Sequence, residues 1–269
     1  MRSVLRWAGS KKKILGELSW FWNQDSFSRY IECFAGSASL YLDLSPQQGV
    51  INDINRDLID FYKTAVKYPK KVHDIYSSQR RSKEDYYEIR NLNPNKLGKI
   101  DKAARFLYLN RNCFNGLYRT NNSGEFNVPY GGSRTGNNFL WSEFSDIVGQ
   151  LSKAKFYSLD FEELIIEKLQ IGEGDFVYLD PPYAMKNKRI YTQYGNNSFG
   201  ISDIKRLASC VKHIDESGGK FLLSYGKCES IEDIFKEWNL KSVTVQRNIA
   251  GFAKNRRKDD EMIITNINF

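Results

Sequence analysis

Phe176-Val177-Tyr178-Leu179-Asp180-Pro181-Pro182-Tyr183 is the stretch that decides how this chain is read. Its first four residues are apolar, aromatic or β-branched, and they follow a Gly172-Glu173-Gly174-Asp175 turn. That pattern predicts a short buried strand. Two consecutive prolines then lack N–H groups and fix φ, so neither a ladder nor a helix can continue. Asp180 is thereby held at the carboxyl end of a buried strand, the edge at which open α/β sheets bind ligands. A strand that merely ends in an Asp-Pro turn is the competing reading, but the full Asp-Pro-Pro-Tyr after an apolar strand is a rarer arrangement.

Working outward, the flanking segments alternate between strand and helix. Upstream, Lys155 to Leu159 reads as a strand ending in Asp160-Phe161, and Glu162 to Leu169 as a helix. Downstream come a helix over 202–216, a strand over 219–225, a helix over 231–238 and strands over 241–249 and 261–269, with a basic loop from Arg247 to Lys258. Near the N-terminus, Tyr30 to Phe34 is a short strand followed by the small-residue turn Ala35-Gly36-Ser37-Ala38-Ser39 and a helix. Strand, small-residue turn and helix form a nucleotide-binding unit in which the backbone approaches a ligand closely. The single glycine, Gly36, departs from the dinucleotide fingerprint and suits a nucleoside ligand without a pyrophosphate. The next strand, Gly49 to Asn52, ends in Asp53, about 20 residues beyond the turn, where an acid accepts ribose hydroxyls. Asp53 or Asn55 is equally placed to cap the following helix. This alternation predicts an α/β fold with a mostly parallel sheet.

Residues 57–151 interrupt the alternation. Helical periodicity runs through Leu58 to Tyr62, Val72 to Tyr76, Lys83 to Arg90, Asp101 to Leu109 and Ser142 to Leu151. Between the last two lies a polar segment rich in Gly and Asn, Asn110 to Gly132, whose turn chemistry suggests hairpins and loops standing out from the core. Arg and Asn interleaved with aromatic residues are side chains that read base edges.

Composition sets the class. A chain of 269 residues suits one large domain or two small ones, and 41% hydrophobic with 27% charged residues is ordinary for a globular protein. There is no run of about 18 apolar residues and no apolar leader, so no membrane association and a cytoplasmic location are expected. Cys33, Cys113, Cys210 and Cys228 lack metal-binding spacing, and His73 and His213 lie far apart, so no metal is expected. The net charge of +8 fits a polyanionic partner or a solvated basic surface. Residues 57–151 hold 15 Lys and Arg against 10 Asp and Glu, an excess of 5. Arg6-Trp7-Ala8-Gly9-Ser10-Lys11-Lys12-Lys13 adds a Gly-Ser turn leading into a basic helix start.

Trp7-Ala8-Gly9-Ser10-Lys11, Phe34-Ala35-Gly36-Ser37, the inserted basic segment and Asp180-Pro181-Pro182-Tyr183 stand in one order along the chain. In content and in order they resemble the Dam-type DNA adenine-N6 methyltransferases, the alpha or D12 class, over nearly the whole length. The resemblance implies a Rossmann-like sheet binding S-adenosylmethionine, formed by residues 1–56 and 152–269. It implies that 57–151 is a mainly helical target recognition domain containing a β-hairpin. By the same resemblance, Trp7, Ala8, Gly9 and Lys11 approach the methionine end of the cofactor, and Phe34, Ala35, Gly36 and Ser37 pack against it. Asp53 takes the ribose, Asp160 and Phe161 the cofactor adenine, and Asp180, Pro181, Pro182 and Tyr183 the target adenine.

Asn110 to Pro129 looks very like the family's recognition segment. In GATC-reading members the residues matching Leu117, Arg119 and Pro129 contact bases, and Asn115 and Asn121 lie in the same element. Arg256, Arg257 and Lys258 are expected on phosphate, with salt-sensitive affinity. Ala38 stands where the family often has glycine, and Tyr225 where it often has Asn. The implied function is transfer of a methyl group from S-adenosylmethionine to a flipped-out adenine in double-stranded DNA. S-adenosylhomocysteine is the product, no metal takes part, and a monomer can modify one strand at a time; a restriction endonuclease as functional partner, a phage origin and genome marking all stay open. The alternatives are an N4-cytosine or RNA methyltransferase, which would more typically carry Ser or Asn in place of Asp180, and a catalytically silent DNA-binding regulator.

Overall fold

The structure is a computed structural model that describes residues 3–183, 199–227, 229–246 and 258–269. Its centre is a seven-stranded sheet in the order β3-β2-β1-β4-β5-β7-β6. β1 (Arg29–Glu32), β2 (Gly49–Asn52), β3 (Ala154–Tyr157), β4 (Asp175–Leu179) and β5 (Lys220–Gly226) are parallel. β7 (Lys258–Thr265) enters antiparallel to β5, and β6 (Asn239–Gln246) pairs antiparallel with β7 at the edge. The fold is α/β and Rossmann-like, and its strand order reverses between β1 and β4.

β4 is buried along its whole length, as a central parallel strand covered on both faces must be. Its side chains alternate between two apolar cores. Phe176 and Tyr178 join Tyr30, Ile51, Leu222 and Ile263 on one face. Val177 and Leu179 join Ile31, Val50, Leu223 and Ile264 on the other, beneath α8 (Ile201–Glu216) and α9 (Glu229–Ile234). Also on this second face, Glu163–Lys168 winds as a π-helix, with the Leu169 N–H reaching the Leu164 carbonyl.

The first face is covered by α1 (Leu15–Trp22), α2 (Ser39–Leu44) and the helices of the middle segment: α3 (Arg56–Lys67), α4 (Pro69–Ser78), α5 (Lys83–Asn91), α6 (Lys99–Asn112) and α7 (Trp141–Leu151). One apolar core therefore runs from the sheet into the middle segment. Tyr62 of α3 stacks on Phe156 of β3 at 5.9 Å, and the Tyr41 hydroxyl donates to the Gln150 carbonyl across 3.1 Å.

The Asn110–Gly132 segment differs from expectation in two ways. It does not stand out entirely from the core, because Asn110, Arg111, Asn112, Cys113, Gly116 and Val128 are buried. The expected hairpin is reduced to two isolated antiparallel bridges, Cys113↔Tyr130 and Thr120↔Phe126. Asn110, still within α6, ties this segment to the N-terminus: its amide accepts from the Arg6 N–H at 2.8 Å and donates to the Arg6 carbonyl at 2.7 Å. The Arg111 guanidinium packs over Phe139 and donates to the Asn137 carbonyl.

Glu32, at the end of β1, is a buried acid inside this core. Burial pushes its carboxyl up to about 8; the Tyr30 hydroxyl, donating at 3.2 Å, works against this, and the nearby Asp180 charge adds to it. The unfolded chain releases that proton near 4.5, so the folded state binds more protons between 4.5 and 8 and loses stability as pH rises through that window. Glu32→Gln is expected to raise stability at pH 8 by on the order of 3 kcal/mol relative to the unmodified chain, with the gain vanishing toward pH 4.5. Melting temperatures across that range check this, and a difference independent of pH contradicts it.

Candidate active site

The carboxyl ends of β1 and β4 are neighbours at the point where strand order reverses, and the Cys33 N–H donates to the Tyr178 carbonyl at 3.2 Å. The two loops that leave these ends, 33–38 and 180–183, therefore share one crevice edge.

In the first loop Gly36 has φ +48, and a Cβ there would lie 2.6 Å from the Trp7 ring. Only glycine fits without displacing the ring. The Gly36 N–H donates to Asp53 Oδ2 at 2.9 Å, and the Asn55 N–H donates to Oδ1 at 2.9 Å. Burial pushes the Asp53 carboxyl up, and these two hydrogen bonds oppose the rise. Asn55, not Asp53, caps α3, accepting from the Leu58 N–H at 3.2 Å. Asp53 is thus a pinned acceptor whose remaining lone pairs suit paired hydroxyls. Ala38 adopts φ 49 and ψ 39, a left-handed conformation in which an alanine costs about 1–2 kcal/mol. That strain is why glycine suits this position; the substitution does more than alter packing.

At the second loop Lys11 Nζ lies 2.5 Å from Asp180 Oδ1 and 4.0 Å from Glu261 Oε2. Burial alone would depress the Lys11 ammonium. Asp180, Tyr183 and Glu261 outweigh it and hold the proton more firmly than in water. Burial pushes the Asp180 carboxyl up and Lys11 draws it back. The proton of this pair resides on the amine, so Asp180 is a carboxylate. The Ser224 hydroxyl donates to the same Oδ1 at 3.3 Å and also pairs with the Tyr178 hydroxyl at 3.1 Å. Among the described residues no hydrogen bond is made to Asp180 Oδ2. Lys11 and Ser224 thus fix one carboxylate oxygen, and no described residue donates to the other.

Aromatic rings line both ends of the crevice. Phe34, Phe161 and Phe199 cluster within 5.3–6.1 Å of one another. Arg206 covers the Phe161 ring at 4.8 Å and pairs with Asp160 at 2.5 Å and Glu162 at 2.6 Å. Trp7 stacks on Tyr118 at 5.9 Å and 22°, and the Tyr118 hydroxyl donates to Asp57 at 2.8 Å.

This is the site at which the relatives become informative. Residues 7–249 match the D12 class N6 adenine-specific DNA methyltransferase family. The chain belongs to that family. It is 31% identical to the type II methyltransferase M1.LlaDCHI of Lactococcus lactis subsp. cremoris, over 99% of this chain and 95% of that one. To the type II methyltransferase M.MjaIII of Methanocaldococcus jannaschii it is 32% identical over 99% of each chain. To the DNA adenine methylase of Escherichia coli (strain K12) it is 28% identical, over 97% of this chain and 94% of that one. As a D12 class enzyme it is an adenine-specific DNA methyltransferase that acts on double-stranded DNA and depends on S-adenosylmethionine.

The D12 residues expected from the sequence fall into three sets. Trp7, Gly36 and Asp53 meet at the first loop, and Lys11, Asp180 and Tyr183 at the second. Ala35 is tied in by its N–H to the Asn52 carbonyl at 2.9 Å, and Ser37 by accepting from Ser3 at 2.6 Å. In the recognition segment, Arg119 Nε donates to Asn127 Oδ1 at 2.6 Å, which holds its guanidinium in a half-exposed position. Asn115 is left-handed at φ 54, Leu117 is half-buried, and Pro129 is exposed. Asn121 closes a local turn, accepting from the Ser123 and Glu125 N–H groups. Arg256 and Arg257 lie outside the described residues, and Lys258 opens β7. Sequence reasoning overlooked Glu261, Ser224 and Arg206, each of which reaches the site from a distant strand or helix.

Gly36→Ala is expected to abolish cofactor binding in calorimetry and to cost about 1–2 kcal/mol of stability from φ alone, with displacement of Trp7 adding to it. Unchanged affinity for S-adenosylmethionine in that variant would separate the Gly36–Trp7 contact from the cofactor site.

Proposed function

We propose that this D12 enzyme methylates the adenine of GATC, and that it does so on a base rotated out of the duplex. S-adenosylmethionine supplies an electrophilic methyl group at this site. The residues that hold it in this reading are Trp7, Ala8, Gly9 and Lys11 with Phe34, Ala35, Gly36 and Ser37, with Asp53 on its ribose and Asp160 and Phe161 at its adenine. The pinned Asp53 carboxylate and the close glycine backbone fit such a nucleoside.

Adenine N6 is a poor nucleophile because its lone pair is delocalised into the ring. The reading assigns Asp180 as a fixed acceptor for one N6–H and the Pro181 carbonyl as the acceptor for the other. Both stabilise positive charge that develops on N6, and neither must reorganise as it does so. The observation that carries this reading is the asymmetric state of Asp180. Lys11 and Ser224 hold Oδ1, and no described residue donates to Oδ2. Pro181 and Pro182 keep the second carbonyl in place, and Tyr183 offers its ring to the extruded base.

Residues 57–151 serve as the recognition part in this reading, with 1–56 and 152–269 as the catalytic part. Leu117, Arg119 and Pro129 read bases, with Asn115 and Asn121 beside them. Arg256, Arg257 and Lys258 lie along phosphate. A monomer modifies one strand at a time, and a restriction endonuclease of the same specificity is the functional partner.

Asp180→Ala is expected to abolish transfer of labelled methyl to adenine-containing duplex while DNA binding survives; near-normal turnover sinks the assignment of Asp180. Arg119→Ala should lose roughly 1–3 kcal/mol of discrimination at one base of the site. Mapping methylated adenines in DNA from expressing cells reads both the site and its relaxation, and an unchanged site removes Arg119 from the reading set.

A further inference from the structure

Glu261 is a buried acid, 1% exposed, at the start of an apolar run in β7. The residues that follow it, Met262, Ile263 and Ile264, are core residues of the sheet. A carboxylate in such a place is costly unless it is paired and hydrogen-bonded. Its partners lie in the loop after β4 and near the N-terminus. The Tyr183 hydroxyl donates to both carboxylate oxygens, at 2.7 and 2.5 Å. The Lys11 ammonium is 4.0 Å away and sits 4.9 Å from the Tyr183 ring centroid. Opposite Glu261 in the sheet is Gly226, where a Cβ would come within 3.6 Å of the Tyr183 ring. Tyr225 meets the same ring edge-on at 5.1 Å.

We infer that Glu261 is a positioning residue for methyl transfer: it fixes Tyr183 through its phenol and steadies the ammonium of Lys11 that in turn fixes Asp180. The inference rests on the reading of Tyr183 as the platform for the target base and of Asp180 as the acceptor for its amine. A phenol that donates to a buried carboxylate cannot swing about its side-chain torsions without giving up that charge-assisted hydrogen bond. The ring is therefore set before the base arrives, and the ordering cost is met during folding. Lys11 sits between two carboxylates. With Glu261 as a second carboxylate near it, the ammonium stays in register when an amine approaches Oδ2.

The test uses the full chain, S-adenosylmethionine and an adenine-containing duplex that the unmodified enzyme methylates. Single-turnover rates are measured for Glu261→Gln, which keeps an acceptor but removes the charge, and for Glu261→Ala, which removes both. About a tenfold loss is expected for Gln and about a hundredfold loss for Ala, with cofactor affinity within about twofold and melting temperature retained in the Gln variant. Combined with Tyr183→Phe, Glu261→Gln should add less than its own loss, because their shared hydrogen bond is lost once and only the hold on Lys11 remains to lose. Fluorescence of 2-aminopurine at the target position reports stacking of the base, and its signal should differ from that of the unmodified enzyme in the Ala variant. Unaltered rates in both variants, losses that multiply as for independent groups, or losses that track only a fall in melting temperature each overturn the role of Glu261. Failure of the unmodified enzyme to methylate adenine overturns the underlying reading as well, so the two failures are distinguishable.

Discussion

The ion pair between Lys11 and Asp180 is the contact on which the active site depends. Both groups are largely removed from water, where a lone charge is not tolerated, so each holds the other in its ionised form. The pair joins the N-terminal segment to the end of the central strand, 169 residues later in the chain. Lys11 neutralises the carboxylate of the Asp-Pro-Pro-Tyr loop and holds its Oδ1. Ser224, on the next strand, supports the same oxygen.

That arrangement requires a rigid base, and the sheet supplies it. β4 is buried on both faces, and its alternating side chains commit Phe176 and Tyr178 to one core and Val177 and Leu179 to the other. A shift of one residue in register would exchange the two sets and turn Asp180 away from Lys11. The helices of the middle segment help to make that register firm, because they fill the first core together with the sheet. The segment that carries the candidate base-reading residues is thus anchored to the same framework that holds the acceptor.

Much of this was legible in the sequence because the signals are local. A strand followed by two prolines, a small-residue turn after β1 and an acid after β2 each announce their conformation within a few residues. The mostly parallel sheet followed from their alternation, and the family from the order of motifs; the strand order did not. What the sequence left open depends on partners far away along the chain. Asn110 and Arg111 look like base readers by residue type. Asn110 instead grips the backbone of Arg6, 104 residues distant, and Arg111 is buried over Phe139. The hairpin expected nearby is only two isolated bridges. Glu261 gives no sign of its role in a run of acids that reads as a solvated strand end, since Tyr183 stands 78 residues before it.

Long-range contacts also connect the loop after β1 with the 110–132 segment through one line of rings. Gly36 lies against Trp7, Trp7 stacks on Tyr118, and Tyr118 sits between Leu117 and Arg119. The absence of a side chain at Gly36 lets Trp7 come close, and the hydroxyl of Tyr118 is held by Asp57 on α3. Trp7 has no room to move toward Gly36, so packing on both sides sets its position against Tyr118. In the proposed reading, the surface that holds the methyl donor and the one that chooses the adenine therefore adjoin a single tryptophan, Trp7.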